Sequence, residues 1–129
     1  MPSRRDAVSP TVERVLKAVQ PAGLSSEQRD NLAVALAEAL ANAAVHGNRL
    51  KAEKQVGIVV DVKPGQRATV EVSDSGKGFD HSDAPDPTHP ERVLVPGGRG
   101  VFLMRRLVDE LQYNAAGNVV RLTVRAHKH

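Results

Sequence analysis

"LAVALAEALANAAVHGN", Leu32 to Asn48, is a run of Ala, Leu and Val interrupted up to Val45 by one carboxylate, Glu38, and one amide, Asn42. Ala, Leu and Glu are strong helix formers, so the stretch reads as a helix apolar nearly all round, and a helix of that kind is buried. A carboxylate inside such a helix is costly unless a partner or a chemical task compensates it. Glu38 and Asn42 lie four residues apart, about one helical turn, and therefore project from the same face. One is a candidate base. The other is a neutral oxygen donor suited to a hard cation such as Mg²⁺, which takes few protein ligands and keeps most of its waters. A carboxylate and an amide that merely satisfy neighbouring loop backbone would give the same pattern.

Upstream, Val12, Val15, Leu16 and Val19 follow helical spacing, with Ser9 or Thr11 as the expected cap and Pro21 and Gly23 as the stop. Ser25 or Ser26 is expected to cap the long helix and Gly47 to end it. Downstream, "QVGIVVDVKPGQRATVEVSDSG" reads as two Val- and Ile-rich strands joined at Pro64-Gly65, a hairpin. From Asp74 to Gly100 no periodicity survives, and prolines occur at 85, 87, 90 and 96. A compact domain seldom keeps so long a loop without using it. A further helix in "VFLMRRLVDEL" and a last strand pair turning near Gly117-Asn118 complete an α/β (α+β) two-layer sandwich, helices on one face of a mixed, mainly antiparallel sheet. The whole chain, 1–129, is expected to form a single domain.

The bulk numbers narrow the function classes. A net charge of +3 comes from 18 basic and 15 acidic residues whose signs interleave along most of the chain, which describes an ordinary solvated surface. The only aromatic residues, Phe79, Phe102 and Tyr113, are too scattered for a base-stacking platform. Direct nucleic-acid binding is thus disfavoured. Cysteine is absent, the polar start "MPSRRDAVSP" has no apolar core of a leader, and no apolar run approaches the ~20 residues of a membrane span. A cytoplasmic protein without membrane association is the expectation.

Two further groups carry chemistry. In "ATVEVSDSGKGFD" strand alternation sets Val70, Val72 and Asp74 on one face, so Asp74 ends an apolar stripe and points inward, where a carboxylate can accept from an exocyclic amine such as that of adenine. Gly76 and Gly78 let the following loop pass close to a flat ligand. A plain Asp-Ser-Gly turn fits the same residues; an EF-hand does not, because Gly76 stands where an oxygen ligand is needed. In "PGGRGVFLMRRL" glycines 97, 98 and 100 precede a helix, where free N–H groups attract phosphate and Arg99 adds a positive charge. The loop is neither a Walker A sequence nor a dinucleotide fingerprint.

In this order, "EALANAAVHGN", "DSGKGF" and "GGRGVFLMRRLVDEL" resemble the N box and the two glycine boxes of the GHKL ATPase and kinase superfamily, with its Bergerat ATP-binding fold. Within it the chain is most similar to the bacterial anti-sigma factor serine/threonine kinases. The resemblance implies Asn42 as Mg²⁺ ligand, Asp74 as adenine-binding carboxylate, Gly76, Gly78, Gly98, Arg99 and Gly100 as further ATP-binding residues, and an ATP lid over about residues 79–98. It also implies Glu38 as catalytic base, since serine kinases of the superfamily keep a Glu where sensor histidine kinases usually carry an amide. The implied function is a Mg-ATP-dependent protein serine/threonine kinase and anti-sigma factor. Its partners would be an anti-anti-sigma (STAS-type) protein and a sigma factor, with a homodimer as one form. A non-catalytic nucleotide-gated binding module is the alternative, and a basic nucleic-acid-binding protein a weaker one. Two departures from the superfamily pattern stand out: the short polar start does not read as a leading strand, and Asn118-Val119 follow Gly117 where a Thr is usual.

Overall fold

The computed structural model describes residues 1–51, 54–76 and 98–127. A 3₁₀ turn, Arg5–Ala7, leads into α1 (Val8–Ala18), and a second, Gln20–Ala22, ends at Gly23 with φ 77°. The expected Ser9 or Thr11 cap is not what starts α1. The helix continues directly from the 3₁₀ turn, and the Thr11 hydroxyl, already inside it, donates back to the Ala7 carbonyl at 2.8 Å.

Helix α2 (Ser26–Asn42) begins on a reciprocal cap: the Gln28 N–H donates to Ser25 Oγ (3.1 Å) and the Ser25 N–H to Gln28 Oε1 (3.0 Å). Gln28 also donates to the Arg125 carbonyl at 2.5 Å, tying the start of α2 to the end of the sheet. Ser25→Ala is expected to cost about 1 kcal/mol of stability, readable as a lower urea midpoint with an unchanged slope.

Strands β1 (Gly57–Lys63), β2 (Arg67–Ser73), β3 (Glu110–Tyr113) and β4 (Val119–Arg125) form a four-stranded sheet in the order β1-β2-β4-β3, each pair antiparallel. The hairpin turns where expected: Gly65 has φ 69°, the value position i+2 of a Pro-Gly turn demands. Ala68, Val70 and Val72 of β2 and Val120, Leu122 and Val124 of β4 face inward against Leu32, Leu36 and Leu40 of α2 and Val101 and Met104 of α3 (Gly98–Leu107). Leu36, wholly buried, is expected to cost about 2–5 kcal/mol as Leu36→Ala, measured by denaturant unfolding. The opposite face of the sheet is polar, with Arg67–Asp61, Arg121–Glu71 and Arg125–Glu110 pairs along it.

The start of the chain, which does not read as a strand, nevertheless lies antiparallel to residues 55–56. Pro2 bridges Gln55, and the Val56 N–H donates to the Met1 carbonyl at 2.8 Å. Proline removes one donor from such a pairing and so hides it from pattern reading. Residues 79–97 of the expected lid, and Gly78, lie outside the described residues, as does the side chain of Arg99.

Candidate functional site

Helix α2 does not end cleanly at Asn42. Its last turn widens into a π-helical turn, Ala43–Gly47, closed by the Asn48 N–H on the Ala43 carbonyl at 2.8 Å. Widened turns of this sort re-aim side chains and concentrate at functional sites. Here the turn and the end of β2 enclose a cavity of about 670 Å³. Asn42, Asp74 and Gly76 all line it, so residues chosen from separate parts of the sequence converge on one space.

Asp74 is half-buried there. The Gly76 N–H donates to its Oδ1 at 2.7 Å. A Cβ on Gly47 would collide with the Asp74 carboxylate, and a Cβ on Gly76 would strike the Gly47 carbonyl. Gly47 was expected as a helix stop. The helical run does end there, but the need for glycine comes from across the fold, since the carboxylate fills the space a side chain would occupy.

Burial raises the Asp74 pKa, with the Gly76 hydrogen bond and the charge of Lys54 opposing. A carboxyl group raised in the folded state favours folding fully below its unfolded value, near pH 4, and that contribution is lost as pH rises through the raised folded value. Above it, ionised Asp74 is a burden on the fold. Asp74→Asn is therefore expected to raise stability at neutral pH and to flatten the stability profile above about pH 4, as urea unfolding across pH would record.

The Asn42 side chain presents a buried Nδ2 with no hydrogen-bond partner among the described residues. An unsatisfied donor of this kind calls for an acceptor, because native structures rarely leave buried amides unpaired, and Asn42 itself lines the cavity. Tyr113, at the end of β3, lines the same cavity. Its phenol is pushed up to about 12, chiefly by burial, with Arg105 opposing and Glu38 and Asp74 adding to the shift, so it stays a neutral donor at working pH. Alternation with Leu111 on β3 is the signal that would have aimed Tyr113 inward.

Glu38 corrects the expectation of a fully buried carboxylate. It is half-buried, because the outer side of α2 is not covered: Val34 is 50% exposed, and Ala33, Ala37 and Ala41 are only partly buried. Alanine on that side reflects helix propensity rather than burial. Glu38 does not line the cavity. It packs on the first turn of α3, where a Cβ at Gly100 would collide with its carboxylate. Gly98 opens that helix, so its free N–H groups lie in the same first turn.

Residues 1–124 match the family model described as the histidine kinase-like ATPase domain. The chain belongs to that family. It is 31% identical over 108 residues to the serine-protein kinase RsbW of Bacillus subtilis (strain 168), spanning 78% of this chain and 67% of that protein. It is also 31% identical over 105 residues to the anti-sigma F factor of Thermoanaerobacter sp. (strain X514), spanning 75% of this chain and 70% of that one. Among solved structures, the mycobacterial sensor histidine kinase MprB matches with a TM-score of 0.54 at 18% identity, over 78% of this chain and 74% of that chain, a likeness of fold alone. The GHKL membership expected from the three boxes and the α/β sandwich expected from the order of helices and strands therefore hold. Among the described residues no helix is long and apolar enough to cross a membrane.

This ATPase domain also carries features that its motifs do not reveal. His46, Arg49, Lys51 and Lys54 give the cavity a basic rim. Asn118, where the superfamily has its Thr nearby, lines the cavity and donates to the Gly76 carbonyl at 3.1 Å, while its own carbonyl accepts from the Asp74 N–H at 3.0 Å. Its turn is organised by Asn114 Oδ1, which accepts from the N–H groups of Gly117, Asn118 and Val119.

Proposed function

We propose that the chain is a cytoplasmic Mg-ATP-dependent protein serine/threonine kinase and anti-sigma factor that phosphorylates an anti-anti-sigma partner of the STAS type and holds a sigma factor, as a monomer or a homodimer. The observation that carries this reading is the convergence of Asn42, Asp74 and Gly76 on one cavity in a histidine kinase-like ATPase domain. The relatives named serine-protein kinase and anti-sigma factor support it.

On this reading ATP is the phosphoryl donor. Asp74 accepts from the exocyclic amine of adenine through the oxygen that Gly76 leaves free. Gly76 and Gly78 allow close passage of backbone past the base. The N–H groups at 98–100, with Arg99, take phosphate oxygens at the start of α3. The basic rim attracts the polyanion into the cavity.

The residues fit a magnesium ion in one respect: Asn42 lines the cavity, and its amide oxygen is a neutral ligand of the kind that ion takes. When bound, Mg²⁺ neutralises phosphate charge. Glu38 takes the proton from the partner's serine Oγ as that oxygen bonds to the γ-phosphorus and the bond to the ADP oxygen breaks.

Gly47→Ala is expected to displace the Asp74 carboxylate and weaken ATP binding in calorimetry, with the circular dichroism spectrum retained. The activity itself is tested by pulldown from the native cell with and without Mg-ATP, followed by phosphosite mapping of what is retained. A small partner phosphorylated on Ser or Thr supports the kinase. Nucleotide-dependent capture without phosphate would make the protein a nucleotide-gated module. Steeply salt-dependent DNA binding that ATP does not alter would make it a nucleic-acid binder.

A further inference from the structure

Asn48 is polar, follows directly on the π-turn, and has 0% of its surface exposed. All the hydrogens of its side-chain amide and the amide oxygen are engaged. Oδ1 accepts from the Ser75 N–H at 2.8 Å, and Nδ2 donates to Ser3 Oγ at 3.0 Å and to the Gln55 carbonyl at 3.1 Å. Ser3, equally buried, donates its own hydroxyl hydrogen bond to the Lys54 carbonyl at 2.6 Å. One side chain thus joins the first residues of the chain, the segment that supplies part of the basic rim, and the turn that carries Asp74.

That turn is held by consecutive N–H groups: Ser75 bonds to Asn48, and Gly76 bonds to Asp74 itself. The backbone around Asn48 is constrained as well. Arg49 and Leu50 follow it in the left-handed region, at φ 53° and 57°, a conformation that non-glycine residues keep only when neighbours impose it. The Leu50 N–H on the Ala44 carbonyl and the Lys51 N–H on the Asn48 carbonyl fasten this reversal. With Gly47 packed against the Asp74 carboxylate, a shift of Asn48 moves both walls that fix where that carboxylate lies.

We infer that Asn48 is a positioning residue for nucleobase selection, setting the Asp74 carboxylate where it distinguishes adenine from hypoxanthine, and that Ser3, which does not line the cavity, acts on the same selection through Asn48. The inference rests on the adenine-binding reading of Asp74 given above. Inosine triphosphate carries a carbonyl oxygen where ATP carries the amine, and shares its ribose and phosphates. Contacts to the phosphates therefore cancel when the two are compared.

The test measures the affinities of the magnesium salts of ATP and ITP by calorimetry for the wild type, Asn48→Ala and Ser3→Ala. The wild type is expected to prefer ATP by on the order of tenfold to a hundredfold, the worth of a hydrogen bond to a charged group. In Asn48→Ala that preference is expected to shrink by about tenfold, and in Ser3→Ala by about threefold, through weaker ATP rather than stronger ITP binding. A purely structural role lowers the melting temperature and leaves the ratio of the two affinities unmoved. If Asn48→Ala does not fold, Ser3→Ala carries the test alone. A wild-type preference that every folded variant retains in full overturns this inference and leaves Asp74 as adenine ligand intact. A wild type without the preference overturns the Asp74 reading, and this inference with it.

Discussion

In Glu38→Gln, phosphotransfer to the serine partner is expected to fall by about 10²- to 10⁴-fold, the range of a general base, while Mg-ATP and the partner bind as before. Glu38 sits one turn before Asn42 on α2 and packs against Gly100 in the first turn of α3. It therefore touches the proposed phosphate cradle one helical turn from the proposed magnesium ligand, and on the proposed reading it meets the hydroxyl of an incoming serine there. Gln keeps the shape and removes the basicity. Asn42→Ala is the contrasting variant, in which Mg-dependent nucleotide binding itself weakens. Single-turnover kinetics separate the two. A Glu38→Gln protein that phosphorylates at the wild-type rate makes Glu38 a structural carboxylate, for which only stability responds.

Asp74→Asn combines a large loss with a gain. ATP affinity is expected to fall on the order of a hundredfold, since a charged acceptor is lost and the new amide can turn a donor toward the donor on adenine. Stability without nucleotide is expected to rise at neutral pH, because burial is what lifts the Asp74 pKa and an amide carries no charge to desolvate. Residues retained for binding at the expense of the fold show this opposition. Calorimetry for affinity and urea unfolding for stability read the two effects on one protein. Equal affinity in wild type and variant removes Asp74 from nucleobase recognition.

How much of this was legible in the sequence depended on how local the signal is. A serine cap at Ser25 or Ser26, the Pro64-Gly65 turn and the Val70-Val72-Asp74 stripe are each written within a few residues, and all appear in the structure, with Ser25 as the cap and Gln28 as its unforeseen partner. The burial of Glu38 was overread because alanine counts as apolar in a pattern, yet serves equally on a partly exposed helix side. Gly47 looked like a helix stop because its real constraint, the Asp74 carboxylate, comes from a distant strand. Tyr113 is legible in the alternation of β3, but Lys54 and Asn48 owe their places to pairings between segments far apart in the chain, which no single-segment periodicity encodes. The antiparallel start was concealed by Pro2.

The central claim, that the cavity between the π-turn of α2 and the end of β2 takes ATP, is tested most directly by titrating Mg-ATP into the ¹⁵N-labelled protein and following backbone amides. The account predicts saturable shifts at Gly47, Asn48, Ser75, Gly76 and Asn118, all at or beside the cavity, that in Asp74→Asn need on the order of a hundredfold more Mg-ATP. Unmoved resonances there, or shifts confined to Thr69, Glu71 and Arg121 on the opposite face of the sheet, would contradict it.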